Sequence, residues 1–125
     1  MNRYVEYTHQ RAVVQWASYH PVLRALLYHI PNGGARTPSG AANLKALGVK
    51  AGMPDLHLPI PVDEYCGLFI EMKTTKGVLS PSQKEKMQLL SEIGHRCEVC
   101  YSSNHAIDTI VEYLKGTKFE VKRGL

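Results

Sequence analysis

Asp55 is followed, after fifteen intervening residues, by Glu71 and then Lys73, and these three charges are the part of the chain best suited to chemistry. In a strand, residues i and i+2 face the same way, so Glu71 and Lys73 project together. Leu68, Ile70 and Met72 then turn to the opposite face and make it apolar. A carboxylate and a lysine on such a strand are costly to bury unless they are paired or metal-bound. Asp55 follows Gly52-Met53-Pro54, where the proline fixes the backbone leading into its own strand. On a hairpin Asp55 arrives beside Glu71. Two carboxylates a few ångströms apart repel, and a hard divalent cation with oxygen ligands is the usual resolution.

The elements that position these residues can be read from the pattern. Gly67 to Lys73 is the most strand-like run in the chain, and Asp55 to Ile60 is a second strand, interrupted by Pro59 and ended by Pro61. Asp63-Glu64 reads as a hairpin connection, so the two strands are expected as antiparallel neighbours. Ser80-Pro81-Ser82-Gln83 is a helix start, with a Ser cap, Pro at the first position and Gln at the third. That helix carries Met87, Leu90 and Ile93 and stops at Gly94. Cys97 to Tyr101 follows as a strand. Ser103 or Asn104 then caps a last helix with Ile107, Ile110, Val111 and Leu114 on one stripe, closed by Gly116.

Upstream, residues 4–19 read as a helix with Val5, Ala12, Val13 and Trp16 on one side, broken at His20-Pro21. Leu26 to Ile30 fits a short strand, and Val22 to Leu27 equally fits a helical turn. Pro31-Asn32-Gly33-Gly34 is a turn signal, and a further helix is expected from a Ser39 cap to Gly48. Lys118 to Leu125 reads as a basic, loosely held tail. The sum is a small α/β sheet domain with helices packed on it.

The chain has 125 residues, enough for one domain and one core. Lys plus Arg number 15 against 11 Asp plus Glu, a formal charge of +4 that favours a polyanionic partner. Hydrophobic content of 44% against 21% charged residues excludes global disorder. The apolar runs are too short for a membrane span, and the first residues do not open a signal peptide. Three cysteines make no disulfide framework, so a reducing, cytosolic setting is expected.

Pro54-Asp55, then Glu71-x-Lys73, matches the PD-(D/E)xK nuclease pattern, and the chain resembles one branch of that superfamily, the VRR-Nuc (virus-type replication-repair nuclease) domain. The matching stretches are Glu6 with Gln10, Ile30-Pro31-Asn32-Gly33-Gly34 with Arg36, Leu47 to Asp55, Phe69 to Lys73, Leu79 to Gln83, and Gly94. They span roughly residues 4–115 in the right order. The resemblance implies a restriction-endonuclease-like core, a small mixed sheet flanked by helices, with the nuclease domain over residues 1–117 and the tail over 118–125. It leaves no room for an accessory DNA-binding module.

The resemblance also implies an activity. Mg²⁺ or Mn²⁺ held by Asp55, Glu71 and the Met72 carbonyl would activate water for phosphodiester hydrolysis, with Lys73 orienting that water. Glu6 reaches the metal directly or through water, unless it is an ordinary helix pair with Gln10. Gln83 reaches the site from its helix start, although a Ser80/Gln83 capping box alone would explain it. Asn32, Arg36, Lys50 and Lys76 are candidates for the phosphate backbone. Standalone viral or bacterial members resemble Holliday-junction resolvases of DNA repair acting as homodimers, which points to branched DNA as partner and to a bacterial or phage-infected cytoplasm. Flap, nicking or restriction-like cleavage and a non-catalytic nucleic-acid-binding domain are the alternatives.

Other motifs carry less. The glycine-rich stretch through Gly40 lacks the Gly-Lys-Ser/Thr of a phosphate-cradling loop. His57 shares a strand face with Asp55 and reads as an exposed strand histidine. Cys97-x-x-Cys100, with His95 and His105 nearby, has no second cysteine pair and sits in a strand, where positions three apart face opposite sides. All three thiols, Cys66 included, are expected to be buried.

Overall fold

The computed structural model describes residues 2–32 and 37–124, with side chains from residue 5. Its order is α1 (Asn2–Ala17), α2 (Pro21–Leu26), β1 (Tyr28–His29), α3 (Pro38–Ala46), β2 (Leu56–Leu58), β3 (Leu68–Met72), α4 (Pro81–Glu92), β4 (Arg96–Cys100) and α5 (Ser103–Leu114). The strands form one mixed sheet in the order β1-β2-β3-β4. β2 is antiparallel to both β1 and β3, and β4 runs parallel to β3, joined to it through α4.

β3 is the centre of the molecule and all five of its residues are buried. Leu68, Ile70 and Met72 enter a core shared with Leu56, Leu58, Val13, Ala17, Ala106, Ile110 and Leu114, so α1 and α5 cover that face. Val13 and Ala17, one turn apart, make the buried stripe of α1; Val5 and Ala12 of the expected stripe are exposed. α5 buries Ile107, Ile110 and Leu114, as its 3.6-residue spacing requires.

The hairpin is as expected. β2 ends before Pro59, which has no N–H to offer a ladder, and Val62 and Tyr65 pair across Asp63-Glu64. Asp63 takes φ 53, a left-handed conformation that a short polar side chain tolerates. α4 starts at Ser80 with both halves of its capping box, and it stops at Gly94, φ 106. There the His95 amide donates to the Leu90 carbonyl and that of Gly94 to the Ser91 carbonyl, which closes the last turn.

Several expectations are corrected. Thr37, not Ser39, caps α3, because Pro38 can occupy the first helical position and lets the helix begin two residues earlier. Ser102 caps α5, its hydroxyl accepting from the His105 amide. The stretch after His20 is both things proposed for it, a short helix and then a two-residue strand. Cys66 is exposed at the mouth of the hairpin, whereas Cys100 is buried. The tail is not loose. The Trp16 indole N–H donates to the Arg123 carbonyl (2.7 Å), Arg123 pairs with Asp108 (2.9 Å), and Phe119 and Val121 pack on the core. An aromatic and a β-branched residue in the tail supply apolar area that charge counting does not reveal. No helix among the described residues is long and apolar enough to cross a membrane.

Tyr113 on α5 ties the far end of the hairpin to the helix layer. Its hydroxyl donates to the Ile60 carbonyl at 2.6 Å, and burial pushes its pKa up to about 12. Tyr113→Phe keeps the ring and leaves that buried carbonyl without its donor. It is expected to cost about 1–2 kcal/mol, read as a lower urea midpoint at unchanged m-value.

Candidate active site

The β2–β3 register pairs Leu56 with Ile70 and Leu58 with Leu68. Continued by one residue, it sets Asp55 across from Glu71, and by one more it sets Pro54 across from Met72. Proline has no N–H, so the ladder ends there. The Met72 amide donates to Asp55 Oδ2 at 2.7 Å. In a strand the N–H and C=O of one residue point to the same side, so the Met72 carbonyl also opens toward Asp55, where Pro54 brings it no donor. One proline thus leaves the Met72 carbonyl without a ladder donor next to the carboxylate pair.

Glu71 is 3% exposed. Its Oε2 accepts from Gln83 Nε2 at 3.1 Å and lies 3.9 Å from Lys73 Nζ. Its Oε1 is buried with no partner. Burial pushes the Glu71 pKa up to about 8, the Asp55 charge adds to the rise, Lys73 opposes it, and a carboxyl–carboxylate hydrogen bond with Asp55 and then the Glu6 charge raise it further. A carboxylate so placed is poised to accept a cation or to hold a proton. Among the described residues, no three His, Cys, Asp or Glu side chains converge on one point. The convergent oxygens are therefore those of Asp55 and Glu71, with the Met72 carbonyl alongside. That hard-oxygen set, small in number and including one orphaned oxygen, fits a Mg²⁺-sized ion that retains waters.

Gln83 caps α4 and also reaches Glu71. Its Oε1 accepts from the Ser80 amide at 2.8 Å while its Nε2 reaches Glu71. The two ends of one amide join the start of α4 to β3. Gly52, φ 84, seats that helix start: a Cβ there would lie 2.5 Å from the Ser82 carbonyl oxygen. No larger residue fits without moving the helix away from Asp55.

The remaining candidates separate. His29 Nδ1 lies 2.8 Å from the Asp55 carbonyl, so β1 braces the backbone of Asp55, and Gln10 of α1 stands beside the same ring. Asn32 is turned inward, its Nδ2 donating to the Met53 carbonyl at 2.7 Å, which makes it a brace for the same loop. Lys50 and Lys76 are exposed and make no ion pair among the described residues. Arg36, with Gly33 and Gly34, lies outside the described residues.

His57 is not a free strand histidine. It stacks on Phe69 (4.1 Å, 5°), and its Nδ1 lies 2.7 Å from the Tyr28 hydroxyl. His95 packs edge-on against Phe69, and burial together with His95 lowers the His57 pKa. This row crosses the sheet beside the carboxylates. The alternation of His57 with Asp55, and of Phe69 with Glu71, was the signal for it. Cys97 and Cys100 fall on opposite faces of β4, across from Phe69 and Met72, and burial pushes both thiols up, so neither is a metal-binding or redox pair.

A mixed sheet flanked by helices, with an acid across from an E-x-K strand end, is a PD-(D/E)xK-like nuclease fold. The chain belongs to the VRR-NUC domain family, whose model matches residues 4–104. It is similar to a solved structure described as a VRR_NUC domain protein, at 31% identity and TM-score 0.76, over 89% of this chain and 88% of the other. Among curated proteins none matches. The family makes this a nuclease-type domain with DNA as its partner.

Two predictions follow from the buried carboxylate. A Glu71 pKa raised from its ordinary 4.5 to about 8 stabilises the folded chain below pH 4.5, and that contribution is lost as the pH climbs to about 8. In EDTA the melting temperature of the wild type should therefore fall relative to that of Glu71→Gln across this window. Gln83→Ala should lower metal affinity or activity about 10–100-fold, as loss of a group that orients a ligand does. Titration calorimetry with Mn²⁺ beside a cleavage assay checks it.

Proposed function

We propose that the chain is a metal-dependent, structure-specific DNA endonuclease that hydrolyses phosphodiester bonds. The observation that carries this reading is the buried Glu71, with an unpartnered Oε1, set across from Asp55. Two such anions are stabilised by a shared divalent cation far better than by each other. Asp55, Glu71 and the Met72 carbonyl would hold Mg²⁺ or Mn²⁺, with Glu6 contributing through water. When bound, the ion supplies a more acidic water and screens the charge that builds on the phosphoryl oxygens.

The chain's own residues do the positioning. Gln83 and Lys73 share Glu71 Oε2, which leaves Oε1 as the oxygen open to a ligand. The Met72 amide fixes Asp55 by Oδ2 in the same way. Lys73, whose side chain is 14% exposed, stands 3.9 Å from Glu71 Oε2, where it orients the attacking water and balances developing negative charge. Lys50, Lys76 and Arg36 meet the DNA backbone, so affinity falls with salt.

The substrate we assign is the four-way junction, cut by a homodimer. A twofold pair places two sites on two strands of a symmetric branch, which suits a chain of this size. The resemblance to standalone junction-resolving members supports this. Reducing cytoplasm is the matching compartment for a chain whose described cysteines are all free thiols.

Matched four-way junction, flap, nicked and linear duplex DNA, each with Mg²⁺, Mn²⁺ or EDTA, form the test. Paired symmetric cuts on the junction are expected, abolished by EDTA, Asp55→Ala and Glu71→Ala. Lys73→Ala should slow cleavage about 10²–10⁴-fold. Cuts confined to flaps or linear duplex would overturn the junction assignment, as would a strictly monomeric protein at working concentration. No metal-dependent cleavage of any substrate would replace the enzyme with a binding domain.

A further inference from the structure

Charge is divided unevenly along this chain. Residues 1–54 hold six basic residues and a single acid, Glu6, whereas residues 55–125 hold nine basic and ten acidic ones. From Tyr7 to Pro54 there is no acidic residue at all. Within this half, α3 has no buried residue, although it carries Ala41, Ala42, Leu44 and Ala46. It ends in a tight turn at Gly48, φ 99, with the Val49 amide donating to the Leu44 carbonyl and the Gly48 amide to that of Lys45. Leu47, at the tip of that turn, is 83% exposed.

An apolar hollow of about 290 Å³ opens at this tip, lined by Ile30, Pro31, Leu47, Val49, Lys50 and Met53. Its walls are attached to the carboxylate site. The Ile30 amide donates to the Asp55 carbonyl at 2.8 Å, and Met53 stands two residues before Asp55, held by Asn32. Apart from Lys50, no side chain lining the hollow carries a hydrogen-bonding group.

We infer that this hollow receives an unstacked base of the DNA, next to the phosphate being cut, with Lys50 and Lys45 on the flanking phosphates. The inference rests on the nuclease reading above and adds how branched DNA is told from duplex. A base offers an apolar π-face joined to an anionic backbone, which matches an apolar hollow with Lys50 in its lining. A twofold contact with a second copy through this same half would bring like charge against like, whereas DNA brings the opposite charge. Bases inside a duplex are held in the stack, whereas a branch point supplies them at little cost. With no side-chain hydrogen-bond code in the hollow, the preference is for structure and not for sequence.

The test uses four-way junctions carrying 2-aminopurine at the branch and matched linear duplexes, bound in EDTA so that nothing is cut. Unstacking raises 2-aminopurine emission, and the aliphatic lining offers no aromatic ring to quench it. Wild type should raise the emission on binding. Leu47→Ser should abolish that rise and weaken junction binding about tenfold, with a several-fold smaller loss on linear duplex. Because Leu47 is exposed, its melting temperature should match the wild type.

Leu47→Ser that keeps the emission rise and the junction affinity would overturn the inference. So would equal losses on junction and duplex, or a change from dimer to monomer in sedimentation, which would make the tip a self-association surface. The readout needs no catalysis, so the two readings fail separately. A wild type that cuts junctions without an emission change sinks the base pocket alone. A wild type that shows the change and never cuts with metal sinks the nuclease reading and keeps the pocket.

Discussion

The register between β2 and β3 is the constraint on which the rest of this molecule depends. With Leu56 across from Ile70, Asp55 must stand across from Glu71, and Pro54 must stand where Met72 looks for a partner. A slip of one residue would turn every β3 side chain over, sending Glu71 into the helix layer and Ile70 into the site. Apolar burial prevents it. Leu56, Leu58, Leu68, Ile70 and Met72 are all essentially fully buried on one face, and that face has no place for a carboxylate. The core therefore pins the chemistry, through alternation alone.

What distinguishes the other face is that its polar groups are tied to one another more than to solvent. Gln83 links α4 to Glu71, the Met72 amide links β3 to Asp55, and His29 links β1 to the Asp55 backbone. Three separate segments thus meet at two carboxylates. The row from Tyr28 through His57 and Phe69 to His95 continues this face with ring packing, so the site is backed by a rigid wall. Such a network leaves one carboxylate oxygen of Glu71 unpartnered, a cost a folded domain retains where a ligand can meet it.

Fold and charge also divide the labour by region. Segments after Asp55 supply most of the sheet and both long C-terminal helices, with nearly balanced charge. The earlier segments supply α1, which buries Val13 and Ala17, and then α3, which like α4 has no fully buried residue. An acid-free stretch of this length in a chain of net charge +4 suits a polyanionic partner. The docked tail belongs to the stabilising half, closing over α1 and α5 through Trp16, Asp108 and Asn104.

Much of this was legible in the residues themselves. The alternation of β3, the Ser80 capping box, the glycine stop at Gly94 and the Asp55, Glu71 and Lys73 constellation are local patterns, because a strand's period and a helix's cap are decided within a few residues. Several other things could not be read that way. That Gln83 caps a helix and holds Glu71 at once depends on α4 lying against the loop at Gly52, thirty residues earlier in sequence. The inward turn of Asn32, the stacking of His57 on Phe69 and the docking of the tail at Trp16 all join segments distant in the chain. Local propensity chose the elements and the face on which the charges stand. Only the packing of those elements decided which polar atoms found partners, and left Glu71 Oε1 without one, because hydrogen bonding across segments depends on positions that no single segment contains.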